Sequence, residues 1–285
     1  MLCCPPDQDA WVRRAQVWLG TLVEVALPAD QASEPRFDAA FAAVAAVHRR
    51  LHPQQRGSDL RRIARQAHRQ VLRVDRDTHQ LLALAQRLWR DSGGLFDPSL
   101  PARGGARLDA LRLLPAQRVR ARAPLQLDLG GIAKGHAVDR AVAALRAKGC
   151  RSGVVNAGGD LRHFGPGWQP VRVRLPHAPT MAPVLFELRD AAAATSADTY
   201  RRPGQGLLDR RMRRQRSYGG SVTVVAPTCA LADALTKIVA LRPQPALRLL
   251  RRHRAHALCI DAAGRARSTL AGSTRQFRMA AAAPA

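Results

Sequence analysis

The chain has 285 residues, 46% of them hydrophobic, and a formal net charge of +25 from 46 Lys+Arg against 21 Asp+Glu. Such a length and apolar content support one large or two small packed domains and argue against a disordered polyelectrolyte. The positive excess raises nucleic-acid binding as a reading, but only 4% aromatic residues leave few stacking platforms, and without a helix-turn-helix, zinc-finger, OB or RRM signature no specific nucleic-acid partner is expected.

Residues 1–15 read as an N-terminal extension, 16–278 as a single domain and 279–285 as a frayed tail. The opening MLCCPPDQDA has neither a basic n-region nor a seven-residue apolar run. No signal peptide or membrane anchor is therefore expected, and the location reads as cytoplasmic, or periplasmic if the start is misassigned. Five cysteines without a CxxC pair fit a reducing compartment better than a disulfide scaffold. Nine histidines show no zinc-ligand spacing.

In chain order, the patterns predict a strand over 17–27, helices over 35–50 and 58–67, a strand over 70–74 and a helix over 77–91. Leu125, Leu127 and Leu129 lead a strand over 125–129 into Gly130-Gly131, where the missing Cβ atoms permit a sharp turn or a close ligand, with Asp128 at its mouth. Val138, Ala141, Val142 and Leu145 then repeat at i, i+3, i+4, i+7, so a helix is expected over 136–148. His136 falls on the first turn of that helix and is expected to face solvent. A strand over 153–157 delivers Asn156, Gly158, Gly159 and Asp160 into a second tight turn. Strands near 170–175, 184–188 and 221–226, helices over 229–240 and 245–253 and a strand over 256–260 follow. Helices and strands mix without strict alternation, which points to an α+β fold.

Two glycine turns beside a helix N-terminus gather backbone N–H groups, and Asp128 and Lys134 stand within reach. A phosphate-bearing ligand fits them, and so does a connection that needs glycine for geometry alone. Neither a P-loop nor a GxGxxG is present. Lysine is rare: Lys134, Lys148 and Lys237 are the only three, so a lysine at a motif is informative.

These residues carry a resemblance. The run from Asp128 to Gly135 with the following AVDRA, the VNAGGD turn at 155–160 and the segment SVTVVAPTCALADAL at 221–235 resemble the FAD:protein FMN transferase family, also called ApbE. Further matches are WLGTLVEV at 18–25, GSDL at 57–60, SGGLFDP at 92–98 and the Ala194-Thr195-Ser196 turn, so the likeness spans roughly residues 16–270. It implies two mixed α/β subdomains with a flavin in the cleft between them. It also implies an enzyme that splits the pyrophosphate of FAD and attaches FMN to a Thr or Ser hydroxyl of an acceptor flavoprotein, releasing AMP.

By position, the resemblance implies flavin contacts at Leu19, Gln54, Phe96, Asp97, Asp128, Lys134 and Leu207 or Leu208, although a Phe after Gly-Gly-Leu is more often a core residue. It implies Mg²⁺ held by the Gly131 carbonyl and Asp233, with a Thr one helical turn after Asp233 as a further ligand. Two departures bear on the chemistry. That Thr position holds Lys237, expected either to supply part of the metal's charge or to form an ordinary helix-face pair with Asp233. The family's histidine, which helps activate the acceptor hydroxyl, is replaced by Gly206, leaving Asp209 and Lys237 as the catalytic candidates. An FAD-binding protein or FAD pyrophosphatase without acceptor transfer stays open beside the transferase, as does a basic interaction module. The stretch 210–216 is expected as a solvated basic loop.

Overall fold

The computed structural model describes residues 11–100, 106–173, 184–197, 207–209, 214–269 and 277–279. β1 (Trp11–Trp18) and β2 (Thr21–Pro28) form an antiparallel hairpin, in place of the single strand predicted over 17–27. Leu19 at φ 55° and Gly20 at φ 73° make its two-residue turn, both left-handed as a tight hairpin requires. β1 begins inside the stretch expected as an extension. It is an edge strand with Arg13 and Arg14 along it and Val17 77% exposed, so it has no apolar alternation to betray it.

The helices match their predicted positions: α1 (Glu34–Leu51), α2 (Asp59–Gln66), α3 (Arg76–Asp91), α4 (Ala133–Ala147), α5 (Cys229–Leu241) and α6 (Pro243–Arg252). α4 starts earlier than the predicted 136 because Ala133 to Gly135 already belong to its first turn. Between α3 and α4, β4 (Ser99–Leu100), β5 (Leu111–Leu114) and β6 (Arg118–Ala121) lie where no strand is predicted, as do the later strands at Asp160–Phe164, Ala192–Ala197, Leu207–Asp209, Arg214–Arg216, Ala266–Ser268 and Phe277–Met279, while β3 (Leu72–Arg73) and β7 (Gln126–Leu127) are trimmed forms of predicted ones.

Then come β8 (Gly153–Ala157), β9 (Asp160–Phe164), β10 (Gln169–Val173), β11 (Val184–Leu188) and β12 (Ala192–Ala197). Ala194, Thr195 and Ser196 lie within β12 rather than in the expected turn, and the Thr195 hydroxyl shares a 2.9 Å hydrogen bond with that of Thr223 on the neighbouring strand. β13 (Leu207–Asp209) and β14 (Arg214–Arg216) pair as a small ribbon, so the C-terminal end of the expected basic loop is a strand; 210–213 lie outside the described residues. The chain closes through β15 (Ser221–Ala226), β16 (His256–Ile260), β17 (Ala266–Ser268) and β18 (Phe277–Met279). Met279 pairs with Phe186, so it belongs to a sheet and not to the frayed tail expected from 279 onward.

The main sheet has eight strands in the order β1-β2-β8-β9-β12-β15-β16-β17, each paired antiparallel to its neighbour. This is the α+β arrangement the element pattern predicts. Helices α4 and α5 lie together on one face of it, with α1 against α4. Strand pleating separates two cores. Val222, Val224 and Ala226 face the helices with Ala192, Ala194 and Ala257, whereas Val225, Ala193, Leu258 and Ile260 pack under β10, β11 and β18. Burial on both faces explains why SVTVVA reads as a continuous apolar run. Among the described residues no helix is long and apolar enough to cross a membrane.

Candidate active site

The Gly130-Gly131 turn opens directly into α4. Leu129 O accepts from Ile132 N at 2.9 Å and Ala133 N at 2.8 Å, which fixes the turn. Asp128 Oδ1 accepts from Gly130 N at 2.8 Å, and the Asp128 side chain is otherwise exposed at the strand mouth. This places Lys134 and Gly135 on the first turn of α4, where backbone N–H groups lack helical acceptors.

The first turn of α4 meets the first turns of α5. A Cβ on Gly135 would lie 2.3 Å from the Cys229 carbonyl oxygen, so only glycine allows the two backbones to come this close. One turn further along α4, Asp139 Oδ1 accepts from Cys229 N at 2.9 Å and Asp139 Oδ2 from Ala230 N at 2.9 Å, so that α5 is capped by a side chain of another helix. Arg162 Nη1 holds the same carboxylate at 2.6 Å. The AVDRA motif contains Asp139, but its role depends on α5 and no local pattern assigns it.

This contact delivers Asp233, one turn into α5, to the N-terminus of α4. Asp233 is fully buried, and its Oδ2 accepts from Gly135 N at 3.4 Å and lies 3.7 Å from Lys134 Nζ. Its Oδ1 pairs with Lys237 Nζ. Lys134 Nζ also lies 2.9 Å from Oδ2 of Asp160, the last residue of the second glycine turn. Two lysines and two buried carboxylates therefore alternate at the meeting point of both turns. The Asp233–Lys237 pair is not the solvated helix-face pair that i, i+4 spacing allows, because the Lys237 side chain is only 17% exposed and its partner not at all.

Burial raises the Asp233 carboxyl, but Lys237, Lys134 and the Gly135 N–H outweigh it and hold the group below the usual carboxylate range. Burial and the Asp233 charge push Asp160 the other way, up to about 6, against the pull of Lys134 and Lys237. Burial lowers Lys134, yet Asp233 and Asp160 more than reverse this and keep it protonated. Lys134 thus stays a cation and Asp233 an anion at the centre of the site. Cys229, wholly buried beside it, is raised well above a normal thiol by burial and is not a nucleophile.

The remaining predicted residues are arranged less uniformly. Phe96 is 6% exposed within the core, with its ring 3.7 Å from where a Gly131 Cβ would stand, so the core reading holds and the ring still borders the turn. Asp97 is engaged locally: its Oδ1 accepts from Ser99 N at 3.0 Å and Ser99 Oγ at 2.7 Å, and Arg107 Nε lies 3.6 Å from Oδ2. Leu19 tops the β1–β2 hairpin and packs partly on the core. Gln54 is exposed in the α1–α2 connection, its carbonyl accepting from Arg61 Nη1 at 2.5 Å. Leu207, Leu208 and Asp209 lie on β13, which runs against α5; Gly206 lies outside the described residues. His136 is buried, not solvent-facing: it is 8% exposed on the first turn of α4, and burial lowers its pKa. The donors implied for Mg²⁺ are Gly131 and Asp233. Asp233 is already shared between ammonium groups, and among the described residues no group of three or more His, Cys, Asp or Glu side chains is placed to hold a metal.

Asp160 and Asp139 are site residues that the sequence motifs contain but do not mark as such. An acidic residue closing a glycine turn after a buried strand was the available signal for Asp160. For Asp139 the signal was its i+4 spacing from Gly135.

Comparisons with known proteins bear on the family and the fold. The ApbE family model matches residues 19–260. A curated FAD:protein FMN transferase from Rhodobacter capsulatus is 35% identical over 119 residues, covering 39% of this chain and 23% of that protein, so the match spans less than a quarter of the relative's length. Among solved structures, an ApbE protein from Thermotoga maritima superposes with TM-score 0.79 at 21% identity over 90% of this chain and 96% of its own. The flavin transferase ApbE from Vibrio cholerae gives 0.75 at 18% identity over 94% and 96%, and the apo form of the Pseudomonas stutzeri flavinyl transferase ApbE gives 0.76 at 20% over 91% and 94%. At such identities these likenesses concern the fold. Because the family model spans the glycine turns, α4, α5 and every member of the charge cluster, the chain belongs to the ApbE family.

Proposed function

We propose that this protein is an FAD:protein FMN transferase, moving FMN from FAD to a Thr or Ser hydroxyl of an acceptor flavoprotein. The observation that carries the reading is the buried cluster of Lys134, Asp160, Asp233 and Lys237, set where two glycine turns and the N-terminus of α4 converge. That combination of ammonium donors and backbone N–H groups suits a diphosphate. Leu19, Gln54, Phe96, Asp128 and Leu207 or Leu208 are the proposed flavin-side contacts.

Phosphoryl transfer asks a protein mainly for positioning and charge neutralisation. The acceptor hydroxyl oxygen attacks the phosphorus on the FMN side of FAD. The bridging P–O bond breaks, and AMP leaves with its electron pair. The hydroxyl proton passes to a carboxylate, for which Asp209 is the proposed base. Lys134 and Lys237 balance the charge that builds on the phosphate oxygens. Mg²⁺ is the cation implied for such a reaction, but the donor set here does not suit it. The free thiols of Cys150, Cys229 and Cys259 fit a cytoplasmic setting.

The test is to incubate the purified protein with FAD and a Thr-bearing acceptor domain, then to read covalent flavin by fluorescence on a denaturing gel and AMP by chromatography. A fluorescent acceptor with stoichiometric AMP is expected. AMP released beside a dark acceptor would replace the reading with FAD hydrolysis, the second activity that the loss of the motif histidine at Gly206 favours. Neither product would end it.

A further inference from the structure

The geometry points to a phosphate centre in which Lys237, with Lys134, stands in place of a divalent cation, so that FAD is bound without Mg²⁺; this rests on the transferase reading only in naming FAD as the anion. Three observations carry it. First, both oxygens of Asp233 are already engaged by positive groups: Oδ1 by Lys237 Nζ, Oδ2 by Gly135 N at 3.4 Å and by Lys134 Nζ at 3.7 Å. A divalent ion bound to that carboxylate would sit beside two ammonium groups inside a buried site, where water does little to screen like charges.

Second, the hydroxyl of the residue just before Lys237 is turned away. The hydroxyl of Thr236 is fully buried and donates to Asp233 O at 2.7 Å, within its own helix. A hard cation needs about six oxygen ligands, and of the neighbouring carboxylates Asp160 is paired with Lys134 while Asp139 caps α5 and is held by Arg162.

Third, Lys237 reaches the glycine turn itself. Its Cε lies 3.8 Å from where a Gly131 Cβ would stand, next to the Phe96 ring at 3.7 Å. The ammonium is thereby placed beside the Gly131 turn while its side chain stays 17% open, and that of Lys134 stays 30% open. Each lysine has three N–H donors. Asp233 takes one from Lys237, and Asp160 and Asp233 face Lys134, which leaves donors on the open side for phosphate oxygens.

The decisive measurement is Mn²⁺ uptake by the full-length protein, followed through the free-ion paramagnetic resonance signal without nucleotide, together with FAD affinity from flavin fluorescence in Mg²⁺ or in EDTA. The wild type is expected to leave the Mn²⁺ signal unchanged and to bind FAD equally within about two-fold in either buffer. Lys237→Thr is expected to take up one Mn²⁺ and to bind FAD about ten-fold more tightly with Mg²⁺ than with EDTA. Uptake of Mn²⁺ by the wild type that disappears in Asp233→Asn would overturn the inference. Uptake that survives Asp233→Asn lies elsewhere and leaves the Asp233 centre cation-free, as proposed. The wild-type arm decides the matter even if Lys237→Thr fails to fold. Should the wild type ignore FAD altogether, the transferase reading fails while the Mn²⁺ result still stands.

Discussion

Gly135 shows how one missing methyl group organises the site. A helix interior ordinarily prefers Ala over Gly by about 1 kcal/mol, so Gly135→Ala is stabilising on helical propensity alone. With the added Cβ 2.3 Å from the Cys229 carbonyl oxygen and 2.7 Å from Ala230 N, two backbones would have to separate. We expect a net loss on the order of 3 kcal/mol in urea unfolding, with weakened FAD binding because Gly135 N leaves Asp233. A more stable variant would refute the close approach of α4 and α5. His163 gives a second, independent test. It is 3% exposed, burial drives its pKa down to about 4 despite Asp190, and its Nδ1 accepts from Asp190 N at 3.2 Å. The native state therefore keeps this ring neutral where the unfolded chain takes up a proton, so its contribution is present above the unfolded value near 6.5 and is lost as pH falls toward 4. The loss from this residue should approach about 3 kcal/mol. His163→Gln should flatten that portion of the pH–stability curve, and an unchanged slope would contradict the buried neutral ring.

Helix α5 carries Asp233 and Lys237, and its start is fixed from outside. Thr228 occupies its N-cap position, the residue type that capping rules favour, yet makes no side-chain capping bond. Asp139 of α4 takes Cys229 N and Ala230 N instead. Asp139→Ala should therefore cost about 2 kcal/mol, and Thr228→Ala less than about 0.5 kcal/mol, in matched denaturant titrations. The reverse ranking would show that α5 is capped locally. The same logic explains which elements were legible. α1 and α3 announce themselves through apolar spacing, since each buries one stripe, α1 chiefly against α4, and α5 through a nearly continuous apolar run buried between α4 and strands β12 and β15. β1 is an exposed edge and β5 and β6 are four residues each, so neither length nor alternation marks them. β12 reads as small residues, AAATSA, because it lies beneath α5, where larger side chains would hold the helix off.

Across the whole molecule, a formal charge of +25 surrounds a core whose buried Lys134–Asp160–Asp233–Lys237 cluster is itself nearly balanced. The excess positive potential should draw in an anionic dinucleotide from a distance while contributing little to its final contacts. Raising NaCl from about 50 to about 500 mM is accordingly expected to weaken FAD binding by roughly ten-fold, mostly through a slower association rate. A change confined to dissociation would place the charge effect in the site. The family, the α+β class, most helices and the two glycine turns could all be read from the chain, because periodicity, turn chemistry and motif order are properties of neighbouring residues. Lys237 could likewise be identified as the odd residue of its motif. That it is buried rather than solvated, that His136 turns inward, and that Asp160, Lys134 and Asp233 share one cluster could not be read. Gly135 and Asp233 are 98 positions apart, and only the packing of α4 on α5 against a common sheet brings them within hydrogen-bonding distance and removes the water that would otherwise separate their charges.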